Sequence, residues 1–230
     1  MARADWEDSF AFSEVTGALA VADGATFASQ SRLWARGLAS DFVQRRPGME
    51  PPAIQRWAAE LAESFAGHVD EHRTDSWWGD VTMQRGAAAA LVGVQFDLSD
   101  DRLPWSAIAI GDCCLFHFTA TGPALSFPLT TVGEFGSRPD LVTSTETLGL
   151  DQIHVAIGTA SPGDLLVLAS DAIATWIVRS LDDPTLPRLL AGIRSDNFGS
   201  LVERLRTENL MPDDDVVLLR CVISDVGRPR

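Results

Sequence analysis

The sequence predicts an α+β fold, layered and antiparallel, and three observations carry that reading. Six apolar runs of strand length are spread along the chain, at 18–22, 87–94, 105–110, 113–118, 165–169 and 216–223. The helix-spaced segments fall in groups instead of following each strand, which favours layers of antiparallel sheet and helix over a doubly wound parallel sheet. The chain has 230 residues, 46% of them hydrophobic, enough for one sizeable core, and a single domain over 1–230 is expected.

Taken in order, the run 18–22 leads straight into Asp23-Gly24. Trp34, Leu38 and Phe42, and then Ile54, Trp57, Leu61 and Phe65, stand at helical spacing. The stretch RRPGMEPP (45–52) between them holds the Pro and Gly of a turn, giving two consecutive helices. The segment SAIAIGDCCLFHF (106–118) reads as a hairpin, two apolar strands joined at Gly111-Asp112. Residues 119–162, rich in Thr, Ser, Gly and Pro, read as loop with one or two strands that no pattern places. A last helix pair is expected at 172–179 and 196–206, where Leu201 and Leu205 lie four apart, before the closing strand.

Charge narrows the function. A net charge of −14 opposes a surface built to neutralise phosphate backbones or anionic lipid, so neither nucleic acid nor membrane is an expected partner. All 18 basic residues are arginine, which removes any lysine nucleophile or Schiff base. Cys113, Cys114 and Cys221 are odd in number, two of them adjacent, which suits free thiols in a reducing compartment. No signal-peptide core opens the chain and no apolar run is long enough to span a bilayer, so a cytoplasmic location is expected.

Three carboxylates stand where strands end: Asp23 after 18–22, Asp171 just after 165–169, and Asp214 just before 216–223. An ionised carboxylate beside apolar chain is costly unless paired, hydrogen-bonded or bound to a metal. If those strand ends meet, the acids repel unless a cation neutralises them, and an all-oxygen donor set suits Mg²⁺ or Mn²⁺. No His or Cys adjoins these three acids, which weighs against zinc.

Six short segments, in this order, resemble the metal-dependent (PPM, type 2C) protein serine/threonine phosphatases, in their divergent bacterial branch. They are RADWED (3–8), VADGAT (21–26), GAAAA (86–90), AIGDCCLF (109–116), LLVLASDA (165–172) and DDDVVLL (213–219). The resemblance implies a four-layer αββα sandwich of two antiparallel sheets flanked by helix pairs, with a binuclear Mn²⁺ or Mg²⁺ centre between the sheets. It implies that Asp23 bridges both ions and the Gly24 carbonyl binds one. Asp171 and Asp214 would hold the second ion, Glu7 and Asp8 would act through metal-bound water, and Asp112 with Asp171 would take a third, weaker ion. Arg3 would clamp the substrate phosphate through paired hydrogen bonds. The implied reaction is hydrolysis of phosphoserine or phosphothreonine by a metal-activated water, without a covalent intermediate. The implied partners are a phosphorylated protein and a Ser/Thr kinase system. Ala25, Ala172 and Val217 depart from the family pattern, and Ala25 offers no group to protonate the leaving alcohol.

Each motif has a plainer reading. Asp23-Gly24 and Gly111-Asp112 suit ordinary turns, Asp171 suits a helix N-cap, Asp213 to Asp215 a solvated turn, and Arg3 a frayed end. A non-catalytic relative that binds a phosphoprotein is the alternative function. HVDEH (68–72) fits the H-x-x-E-H zinc-protease pattern through His68, Glu71 and His72, but these continue an apolar helical stripe and read better as a helix end. Trp77 and Trp78 read as packing residues.

Overall fold

The computed structural model describes residues 6–25, 30–71, 86–100, 102–120, 125–136 and 138–224, without the side chains of 68–71. Among the described residues, ten strands form two antiparallel sheets. The first runs in the order β1 (Ser9–Ser13), β2 (Ala18–Gly24), β3 (Ala88–Phe96), β4 (Pro104–Ile110) and β8 (His154–Thr159), with the two-residue β7 (Val142–Thr143) on β3. The second runs β10 (Leu218–Val222), β9 (Leu165–Ala169), β5 (Cys114–Phe118) and β6 (Leu125–Phe127).

Three apolar clusters stack through the molecule and define four layers. Ala20, Ala22, Leu91 and Ile108 on the outer face of the first sheet pack under α1 (Ser31–Arg45) and α2 (Pro51–Glu71). Leu19, Val21, Val92, Val94, Leu115, Leu166 and Leu168 fill the space between the sheets. Phe116, Val167 and Ala169 pack under α3 (Asp171–Arg179), α4 (Leu186–Ala191) and α5 (Phe198–Thr207). The α+β sandwich of two antiparallel sheets flanked by helices is therefore as expected. Alternation decides which side chain enters which cluster, because successive strand residues face opposite sides.

The helix-on-sheet contact depends on a small residue. Phe42 of α1 lies over Gly93 of β3, where a Cβ would come within 2.5 Å of the ring. Trp34 is fully buried and donates its indole N–H to the Val142 carbonyl at 2.7 Å, tying α1 to β7. α1 ends at Arg46, which takes a left-handed backbone and donates its amide to the Phe42 carbonyl.

One expectation fails. Residues 106–118 do not form a hairpin: β4 pairs with β3 and β8, whereas β5 pairs with β9 and β6 in the other sheet. Gly111, at φ +87°, turns the chain from one sheet to the other. The physical reason lies in the flanks. A hairpin with one wet face shows alternating apolar and polar residues, but 107–110 and 113–118 are buried on both faces. Each strand thus needs a layer on either side of it. The 119–162 stretch holds three strands, β6, β7 and β8, the last an edge strand of six residues. β1 and the short α4 have no counterpart in the sequence expectations, and the last helix begins at Phe198, not at 196.

Candidate active site

The sandwich is open at the end where β2, β4 and β9 finish, and the acids gather there. In β2, Leu19 and Val21 face the inter-sheet core, so Asp23 continues the same face to the rim. Its strand neighbour is Ala90 of β3, one of four consecutive buried alanines (87–90) whose size leaves room at that rim. Gly111 packs on Ala90 as well, since a Cβ on Gly111 would meet the Ala90 Cβ at 2.8 Å. That close approach sets the following residue, Asp112, 7% exposed, beside the cluster. β9 delivers Ser170 and Asp171: Ser170 is the N-cap of α3 and Asp171 its first residue, so the expected cap role falls one position earlier.

The acids are in mutual contact or in each other's field. The Asp23 carboxyl lies beside both Asp8 and Asp171, and the Ser170 hydroxyl lies beside Asp8. Burial, and then the charges of Asp8 and Asp171, hold the Asp23 carboxyl far above its ordinary range. Asp8 is raised by burial, against the opposing hydrogen bonds from Asp23 and Ser170, with Asp171 and Asp215 adding repulsion. Asp112 is pushed up to about 7 by burial and then by Asp171. Asp171 is raised by burial and by Asp214, while the Ala172 amide, which donates to its Oδ1, pulls the other way. Cys113 is fully buried beneath these acids, and burial together with the charges of Asp23 and Asp112 keeps its thiol protonated.

The remaining expected residues are placed as follows. Asp214 is exposed and its Oδ1 accepts the Asp215 amide at 2.8 Å, yet its charge reaches Asp171 and Asp112. Gly24 is buried against the Glu7 carbonyl, which a Cβ at Gly24 would approach to 2.9 Å. Glu7 enters through its backbone, its amide donating to Asp215 Oδ2 at 2.8 Å. Arg3, His72, Trp77 and Trp78 lie outside the described residues, as do the side chains of His68 and Glu71. Ser170 and Asp215 were not anticipated. No local pattern marks either: both lie outside the strands, and Asp215 takes its partner 208 positions away.

Could these residues hold a divalent cation? Among the described residues, no three His, Cys, Asp or Glu side chains are already arrayed around one point that could take an ion. Asp171 and Asp214 instead each turn one oxygen to the next backbone amide. The donor set is nonetheless carboxylate oxygen throughout, the type a hard divalent cation takes. Asp8 Oδ2 is buried with no hydrogen-bond partner, an orphaned acceptor of the kind a cation or its water satisfies. By donor chemistry and by that orphan, the residues fit the group.

No family model matches the sequence, and no curated protein matches it either. Solved structures do match. The catalytic domain of the serine/threonine phosphatase PstP, in complex with two manganese ions, superposes with a TM-score of 0.61 over 97% of this chain and 94% of that one, at 18% identity. Stp1, a serine/threonine phosphatase from Staphylococcus aureus, gives 0.62 over 96% and 90%, at 12% identity. PppA, a key regulatory component of T6SS in Pseudomonas aeruginosa, gives 0.57 over 93% and 89%, at 18% identity. The resemblance read from the sequence holds for the architecture: this chain has the fold of the metal-dependent, type 2C serine/threonine phosphatases.

Proposed function

We propose that this protein is a metal-dependent serine/threonine phosphatase that hydrolyses phosphoserine and phosphothreonine in proteins, using Mn²⁺ or Mg²⁺. The observation that supports it best is the gathering of Asp8, Asp23, Asp112 and Asp171 at the open end of a two-sheet sandwich, each raised above its ordinary pKa by burial and by its neighbours. Such a cluster is expensive for a fold to keep and is what a cation site requires. The manganese complex of PstP, alike in fold, supports the choice of ion.

In this reading Asp23 would serve both ions, the Gly24 carbonyl one of them, and Asp171 and Asp214 would hold the second. Asp8 and Glu7 would act through water, Asp112 with Asp171 would take a third, weaker ion, and Arg3 would take the phosphoryl oxygens. Bound there, the ions supply an activated water and neutralise charge developing at phosphorus. The chain's part is to hold the acids at the strand ends and in the turns beside them. Ala25 leaves leaving-group protonation to solvent. The net charge of −14 fits a protein substrate better than nucleic acid, and no helix among the described residues is long and apolar enough to cross a membrane.

The test is phosphate release from a phosphothreonine peptide with Mn²⁺, with Mg²⁺ and with chelator. Release that needs the ion and stops on chelation is expected. Tight binding of the peptide without release would favour the non-catalytic relative.

A further inference from the structure

The ladder between β1 and β2 begins only at the Ser9–Ala22 pair, so Glu7 and Asp8 lie ahead of the backbone pairing that fixes the rest of β1. They are held from the opposite sheet. The Glu7 amide donates to Asp215 Oδ2 at 2.8 Å, joining residues 208 positions apart. Ser170, fully buried, has its hydroxyl beside Asp8, while its Oγ accepts the Val217 amide at 3.0 Å and its own amide donates to the Val217 carbonyl at 3.1 Å. On the near side the Glu7 carbonyl rests against Gly24. Residues 6–8 therefore cross the rim of the sandwich as a strap. One side of it rests on β2, and the other is fastened by the residues that join β9 to α3 and lead into β10.

We propose that Asp215 and Ser170 are positioning residues that dock this strap, and that Asp215 is the fastening on which the placement of Glu7 and Asp8 at the acid cluster depends. Asp215 acts as a hydrogen-bond acceptor for a backbone amide, not as an ion ligand. That distinguishes it from Asp214, whose side chain is exposed and whose charge falls on Asp171 and Asp112. Strap docking and ion binding are then coupled: releasing the Glu7 amide withdraws Asp8 from the site, and an ion held through Asp8 favours the docked strap. The docking itself needs no ion. Only its consequence for ion binding rests on reading the cluster as a metal site.

The experiment compares wild type with Asp215→Ala, Asp215→Ser and Asp215→Asn. Serine is polar but too short to reach the Glu7 amide, and it guards against misfolding of the alanine variant. Asparagine keeps an oxygen that can accept the same N–H. Exchange of the Glu7 amide is measured in metal-free protein, and Mn²⁺ affinity by titration. Losing a hydrogen bond to a carboxylate is expected to speed Glu7 exchange at least about tenfold in the alanine and serine variants. Mn²⁺ affinity in them is expected to fall about 10- to 100-fold, as on removal of groups that orient metal ligands. Asp215→Asn is expected to stay within about threefold of wild type on both counts. Glu7 exchange unchanged in both short variants would overturn the proposal, and so would an asparagine variant as impaired as alanine. If wild type binds no Mn²⁺, the metal reading fails and the exchange comparison alone decides the strap.

Discussion

Asp23 is fixed by β2, faces the inter-sheet core, and lies beside Asp8 and Asp171. Burial and those two charges make an ionised Asp23 a cost to the metal-free fold and not a support. Asp23→Asn is therefore expected to fold with a melting temperature at or above that of the metal-free wild type, and to lose metal-dependent hydrolysis by more than the 10- to 100-fold typical of supporting residues. Circular dichroism and a phosphopeptide assay check the two halves, and near-normal turnover would count against Asp23 as a ligand. Asp171 differs, since it opens α3 and its Oδ1 takes the Ala172 amide, so its removal should cost stability as well as activity.

At the scale of elements, the most demanding contact is α1 on β3. A methyl group at Gly93 would stand 2.5 Å from the Phe42 ring, and Phe42 is itself fully buried, so relief must come from movement of the helix. Gly93→Ala is expected to cost about 1–3 kcal/mol, read from the denaturant midpoint at unchanged m-value, and to leave Mn²⁺ affinity intact because the rim lies elsewhere on the strand. The spacing of Trp34, Leu38 and Phe42 made α1 legible from sequence, since a helix shows its buried stripe as a period. Strands buried on both faces show no period, and so 106–118 could be divided into two strands but not assigned to sheets. Which sheet a strand joins is a long-range choice, decided by what packs on each face. β8 could not be placed within 119–162, and β1 was not anticipated, for a related reason: as edge strands they leave Ile157 79% exposed and Phe10 and Phe12 just over half exposed. In the site, the acids at strand ends were legible because an apolar run ending in Asp is a local pattern. Ser170 and Asp215 were not, because their meaning lies in partners 162 and 208 positions away along the chain.

For the whole molecule, the two ends of the sandwich carry opposite electrostatics. At the far end Asp164 is buried, which pushes its pKa up, yet hydrogen bonds from the Ser161 amide, from His117 at 3.0 Å and from the Ala120 amide outweigh that and hold it below its usual range. Its contribution is present above the ordinary carboxylate range and is lost as pH falls. At the rim the sign reverses. Asp8, Asp23 and Asp112 bind protons more tightly folded than unfolded, so the metal-free protein loses stability as pH rises from the ordinary aspartate value of 3.8 through the Asp112 pKa of about 7. The slope is up to about 1.4 kcal/mol per pH unit for each group still holding its proton. A thermal-unfolding series from pH 4.5 to 8 with chelator should thus show a falling melting temperature. Saturating Mn²⁺ should flatten it, because the cation takes over the role of the protons.

Calorimetric titration of the chelator-treated wild type with Mn²⁺ near pH 7.5, repeated in two buffers of different ionisation enthalpy, tests the central claim most directly. The account expects saturable binding of two ions per chain accompanied by proton release from the acid cluster, and loss of at least one ion in Asp23→Asn. Absence of saturable binding, or binding that releases no proton and is indifferent to Asp23→Asn, would contradict it.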